Sequence, residues 1–429
     1  MSQRNRSVII IVAFLLLIAL TFHAAHARLQ TQIAEIESEV SNIRGLERLG
    51  ETTLTFRARD HIRAERGAPD EEASSPDEEA PSPDDGLERF IAFFRALELA
   101  PPELDLEAAF REYYSANVIG YYQFEGEEIT ILRQPGRQFA PLTFFERLIY
   151  AHEYMHVLQD QHYDLKQIWE RVGESENFDF NLATNALIEG DAEAVEWEVL
   201  DRLLTRMSDR ELDYIIRQSE QGMTVTGASM PMPQAIEAAF RFPYEQGIEF
   251  VRSLVESAGW ERVHQAFTSD RPQSSEQIYH PERYLAGDAP ISISLPDFSE
   301  IIGDGHRQVY DSAVGEFYLR QHLMTNLRRT HAEAAASGWG GDRLRIYKDS
   351  ADDELLWVWH LAWDGARDAS EFAGAYRRFL DLRYERVESR QGCWRLETTH
   401  CFARINETET RISMARNPET ALALLDSNY

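Results

Sequence analysis

The chain has 429 residues, with 43 Lys+Arg against 73 Asp+Glu and a formal net charge of −30, which disfavours binding to nucleic acid or anionic lipid surfaces and favours cationic substrates. Hydrophobic residues make up 43%, including 8 Trp, 17 Tyr and 22 Phe, ample for a large core. The only two cysteines, Cys393 and Cys401, exclude a Cys-rich zinc site and are expected to pair across a hairpin in an oxidising compartment.

The chain opens with Arg4 and Arg6, an uncharged apolar run from Val8 to Phe22, and Ala25-His26-Ala27 before Arg28. That order reads as a secretory signal cleaved after Ala27, or as an uncleaved anchor extended through His23 and His26. Either reading of residues 1–27 places the rest outside the cytoplasm, at the cell membrane, secreted or periplasmic. Leu29, Ile33, Ile36, Val40 and Ile43 make a short heptad seam, so 28–66 is expected to be a helical stalk. Its seam serves weak self-association through 29–43 or packs against the chain's own core. Residues 67–86 are almost entirely Pro, Ser, Ala, Gly, Asp and Glu and are expected to form a disordered linker.

Two β-rich runs, Val118 to Tyr122 and Glu128 to Leu132, suggest a hairpin, whose edge can take up peptide backbone by strand addition. His152-Glu153-Tyr154-Met155-His156 follows. On a helix the two histidines project from nearly the same face and can share one zinc ion, while Glu153 addresses zinc-bound water. Leu148, Ala151, Met155 and Leu158 supply the apolar face of such a helix. A catalytic zinc needs a third protein ligand. The helical stretch from Asn181 to Leu204 offers Glu189, with Asp191 as the alternative and otherwise a supporting residue. Glu193, one turn on, is placed to accept a hydrogen bond from a ligand histidine. Gly190 inside that helix predicts close approach of another element, the histidine helix being the nearest candidate.

From Ala289 onward, strands are expected at Ile291 to Leu295, Leu344 to Lys348, Leu355 to Trp363, Trp394 to Glu397 and Arg411 to Ala415, with helices at Ala313 to Leu327 and Ser370 to Tyr384. This is an α+β pattern with no catalytic constellation.

The segments HEYMHVLQDQHYDL (His152 to Leu165), ALIEGDA (Ala186 to Ala192), FPYEQG (Phe242 to Gly247) and SEQIYHPERY (Ser275 to Tyr284) resemble a family of largely uncharacterised exported bacterial metallopeptidases. That family is in turn similar to the gluzincins, which include thermolysin and the aminopeptidase N family. The resemblance implies zinc held by His152, His156 and Glu189, with Glu153 as general base. It implies that Tyr244, in the Pro-Tyr-Glu-x-Gly setting of the aminopeptidases, hydrogen-bonds the developing oxyanion. His280, in the last segment, is a further candidate donor there. The aminopeptidases' Gly-x-Met-x-Asn strand has no counterpart in this chain, which leaves exo- against endopeptidase open.

The resulting expectation is an α+β chain: a mainly helical zincin-like catalytic domain with a small antiparallel sheet over 87–288, followed by an α+β region over 289–429. Its expected activity is that of an exported or membrane-tethered zinc peptidase acting on peptides or proteins. A zinc hydrolase of another substrate, and an inactive envelope binding protein, are the alternatives.

Overall fold

In a computed structural model, the described residues are 3–58, 83–134, 136–137, 140–222, 232–384 and 392–427. The expected linker lies outside them except for 83–86, which open the helix Pro83–Ala96. The expected α+β class is observed, with helices dominating and two separate sheets. The chain divides into two compact units. The first comprises Met1–Ser74, Arg111–Ile168 and Asp191–Ser229, and the second Ser75–Phe110, Trp169–Gly190 and Met230–Tyr429. The division therefore does not follow the expected boundary at 288/289, and it crosses one continuous helix at Gly190.

In the first unit, helix α1 (Gln3–Arg44) is followed by strand β1 (Thr53–Arg57). The expected stalk thus ends at Arg44, and its second half contributes a strand. Leu29, Ile36, Val40 and Ile43 are buried, so the seam packs within the chain. Tyr150 donates to Glu37 Oε1 at 2.7 Å and the Leu142 amide to Gln32 Oε1 at 2.7 Å. The side chains of 3–20 and 22, which include most of the apolar run, lie outside the described residues. Among the described residues no helix is long and apolar enough to cross a membrane.

Strands β2 (Gly120–Gln123) and β3 (Glu128–Leu132) form the expected antiparallel hairpin. The left-handed turn residue is Glu127, at φ 45°, rather than the neighbouring Gly126. The sheet is mixed, because β1 pairs with β3 in parallel, Thr53 opposite Glu128 through Arg57 opposite Leu132. The order β1-β3-β2 leaves β2 at an edge. Helix α2 (Phe144–Tyr163) packs on β2 and β3, and helix α3 (Phe178–Thr205) begins in the second unit and ends in the first.

The second unit holds helix α4 (Gln234–Ala258) and a six-stranded antiparallel sheet. Its strands are β4 (His306–Ser312), β5 (Trp339–Asp349), β6 (Leu355–Trp363), β7 (Cys393–Arg395), β8 (Thr399–Arg404) and β9 (Glu409–Ala415), in the order β4-β5-β6-β9-β8-β7. Helix α5 (Gly315–Met324) lies between β4 and β5 in sequence, and α6 (Ala366–Arg383) follows β6. Trp339, Trp357, Trp359 and Trp363 are buried in this unit, each removing a large apolar area from water. Cys393 and Cys401 are disulfide-bonded across the β7–β8 pair, stapling a three-residue edge strand. Ile291 to Leu295 is not a strand. Ile291 donates one backbone bond to Gly340 O at 2.7 Å, and a side chain on Gly341 would come within 2.3 Å of Ile291 O, so the glycine admits a crossing segment instead of a ladder.

Candidate metal centre

Helix α2 is set in register by its first turn. Thr143 accepts from the Glu146 amide at 3.3 Å and Glu146 accepts from the Thr143 amide at 2.7 Å, a reciprocal capping box. Glu146 is also paired with Arg133 at 2.9 Å. From this start the helix buries Leu148, Ala151, Met155 and Leu158. The histidines fall at the edge of that face, half-buried, with ring centroids 4.9 Å apart. Glu153 is only 8% exposed. A methyl group on Gly120 would lie 3.3 Å from Glu153 Oε1, so the carboxylate sits beside the first residue of the edge strand β2.

Glu189 projects from α3. One ligand atom each from His152, His156 and Glu189 lies within 4.8 Å of the others. Ligands about 2.1 Å from a common tetrahedral zinc stand about 3.4 Å apart, a difference that side-chain rotation can close. Two imidazoles and one carboxylate are the donor set of a catalytic zinc with a position left for water, and these residues fit that ion. His152, Glu193 and Glu196 form a second, overlapping group.

The remaining ring nitrogens are committed. His152 Nδ1 is 3.1 Å from Glu196 Oε2, so an N–H there donates to the carboxylate and leaves Nε2 with its lone pair. At His152 Nδ1 that partner is Glu196; Glu193, expected as an acceptor for a ligand histidine, accepts from Trp197 Nε1 at 3.2 Å and lies in one group with His152 and Glu196. His156 Nδ1 is 2.8 Å from Gln159 Oε1, and Gln159 Nε2 donates to Asp191 Oδ2 at 3.1 Å. Since a carboxylate only accepts, the Gln159 amide group must face Asp191 and its oxygen must face His156. That orientation requires the proton on His156 Nδ1. Asp191, fully buried, is held by Arg44 Nε at 2.7 Å, and Arg44 also donates to the Tyr163 hydroxyl at 3.2 Å. Burial opposes the Arg44 charge, but Asp191 and Tyr163 outweigh it and raise its pKa. Asp191 thus supports His156 and does not join the ligand group.

Gly190 is explained differently from expectation. A Cβ on it would lie 2.3 Å from the Gly247 backbone, and a Cβ on Gly247 would lie 2.2 Å from Ala186 O. The close neighbour is thus α4, and the two glycines seat α3 against α4. Within α4, Phe242 packs on the rings of Tyr279 and Phe317, with centroids 5.0 and 4.9 Å away. Tyr244, one turn before Gly247, is 41% exposed.

The segment from Ser275 to Tyr284 is tied into the second unit. The Ser275 amide donates to Asp179 Oδ2 at 3.1 Å, and its hydroxyl accepts from the Phe317 amide at 2.9 Å. Arg283 pairs with Glu276 at 2.6 Å. His280, expected as a donor near the reacting carbonyl, has Nε2 3.1 Å from the buried Glu316 carboxylate, which also pairs with Arg320. Gln159 lies one turn beyond His156 on the same helix, a spacing the sequence carries; Arg44, 147 residues from Asp191, left no such trace.

A family model described as a domain of unknown function, DUF8575, matches residues 304–425, all of them within the second unit. No curated protein and no solved structure matches the chain.

Proposed function

We propose that this chain is an extracytoplasmic zinc-dependent peptidase. The observation that carries the reading is the convergence of His152, His156 and Glu189, with both histidine Nδ1 atoms already engaged by Glu196 and Gln159. That arrangement presents two Nε2 lone pairs and a carboxylate to one ion. Zinc bound there supplies a Lewis acid and lowers the pKa of a coordinated water toward about 7.

The chain's own groups do the rest. Glu153 takes the proton of the attacking water on its carboxylate and delivers it to the leaving amine nitrogen. The edge strand β2 begins beside that carboxylate, so a peptide paired along β2 would run past Glu153 in extended form, recognised through its main chain. Tyr244 is the residue proposed to steady the oxyanion. The apolar run from Val8 to Phe22 supports export or tethering.

The test uses the purified full chain. About one zinc per chain is expected, and its absence overturns the metal reading. Glu153→Gln should keep the zinc and lose roughly 10²- to 10⁴-fold in the rate at which a mixed proteome is cleaved. Cleavage equal to the parent's overturns the peptidase mechanism. A zinc-loaded parent that cleaves no peptide points to hydrolysis of another acyl substrate. Glu189→Ala should lose the metal, and full retention would remove Glu189 from the ligand set.

A further inference from the structure

The second unit carries a groove of about 590 Å³ that shares no residue with the histidine centre. The first turn of α4 opens onto it. Pro233 is the N-cap and makes no side-chain cap bond, while the Ile236 and Glu237 amides bond back to Pro233 O. The amides of Gln234 and Ala235, both bordering the groove, have no partner among the described residues. A 25-residue helix adds a partial positive charge at this end.

A second observation points the same way. Gln321, on α5, borders the groove, is only 7% exposed, and has no hydrogen-bond partner for its carboxamide among the described residues. The rest of this side chain is buried while its carboxamide is not among the buried polar atoms that lack a partner, so its donors and acceptor face the groove, where a partner from outside the chain can reach them. The charges in the wall are unequal. Arg383 is neutralised by Glu98 at 2.7 Å, whereas Arg95 donates only to the Pro102 carbonyl, at 3.4 Å, and has no carboxylate partner among the described residues. Leu99, Pro101 and Met324 make the wall largely apolar.

We infer that this groove binds a small monocarboxylate with an apolar body, its carboxylate received by the α4 amides, Arg95 and Gln321. One unpaired guanidinium and one helix end match a single negative charge, and the apolar wall matches a hydrocarbon body. The carboxy terminus of a peptide ending in an apolar residue and a short fatty acid share this chemistry. The inference does not depend on the peptidase reading.

The test is calorimetric titration of the full chain with N-acetyl-leucine and hexanoate, each against its uncharged amide. Zinc is removed by chelation, so that carboxylate binding at the histidine centre does not contribute. At least one acid should bind about tenfold or more tightly than its amide. Arg95→Ala and Gln321→Leu should each weaken that binding by a similar factor while leaving the thermal midpoint unchanged. Preference for N-acetyl-leucine identifies the peptide terminus and preference for hexanoate the fatty acid. Equal binding of acid and amide, no binding of either acid up to about 10 mM, or parent-like binding by both variants overturns the inference.

Discussion

Asp179 and Asp191 lie on the same helix, both fully buried, and the chain treats them in opposite ways. Asp191 has the Arg44 guanidinium at 2.7 Å and the Gln159 amide at 3.1 Å. Asp179 has the Ser275 amide on one oxygen and, among the described residues, nothing on the other. Burial pushes the Asp179 carboxyl up to about 8. Asp342, equally buried, accepts from the Val314 and Gly315 amides and from the Trp339 and Trp359 indoles, and is raised only to about 6. Depth alone therefore does not decide what a buried carboxyl does; the number and charge of its donors decide it. Only the cation-paired carboxylate stands behind a proposed zinc ligand.

Removing that cation tests the contrast most severely. Arg44→Ala should cost about 3–5 kcal/mol in urea unfolding, because it strands a buried charge. A loss below about 1 kcal/mol would mean that Asp191 needs no partner and that the comparison fails. Next is Gly190→Ala, the residue before Asp191. Its added methyl meets the Gly247 backbone and should cost about 1–3 kcal/mol, measured in the same way. An unchanged midpoint would show that the glycine contact does not fix the depth of the helix.

The smallest effect is expected at Asp179 and depends on pH. In the fold this group releases its proton near pH 8, against 3.8 as its ordinary value. Between those limits the folded chain holds a proton that the unfolded chain has lost, so its contribution to stability is whole below the lower limit and declines as pH rises toward the upper one. Asp179→Asn should flatten that decline by on the order of 1 kcal/mol per pH unit at most, read from thermal midpoints between about pH 5 and 8. A residual slope of the same sign should remain between about pH 7 and 8, since Glu276 is also raised, to about 9; below about pH 6.5 burial lowers His322, His360 and His400, which act in the opposite direction. A slope identical to the parent's would show that Asp179 is not the group responsible.

What could be read in advance was local. The histidine helix carries its own periodicity, the β2–β3 hairpin is two β-rich runs in close succession, and β6 is a continuous apolar run, and the cysteine pair is only eight residues apart. Glu189 could be singled out because a catalytic zinc needs a third protein ligand and the glycine-containing helix that follows the histidines offers one. What escaped was set by partners distant in sequence. β1 is five residues long and acquires meaning only opposite β3. Arg44 reads as one more residue inside the stalk expected over 28–66 until Asp191 faces it. Gly190 correctly announced a close approach, yet a glycine does not name its neighbour, and that neighbour is Gly247. Glu193 and Glu196 share one helix face, so choosing between them as the His152 partner required side-chain positions.

The parallel pairing of β1 with β3 bears on what a cut in the chain would accomplish. A nick anywhere in 59–82 leaves the fragment carrying α1 and β1 gripped on its helical side by α2, through Tyr150, and by the Leu142 amide just before it, and along its strand by five residue pairs with β3. The first unit would persist as a two-fragment complex held without a covalent link. Severing that stretch is therefore not a means of release: if the N-terminal run is a tether, processing there would leave the histidine helix attached to it.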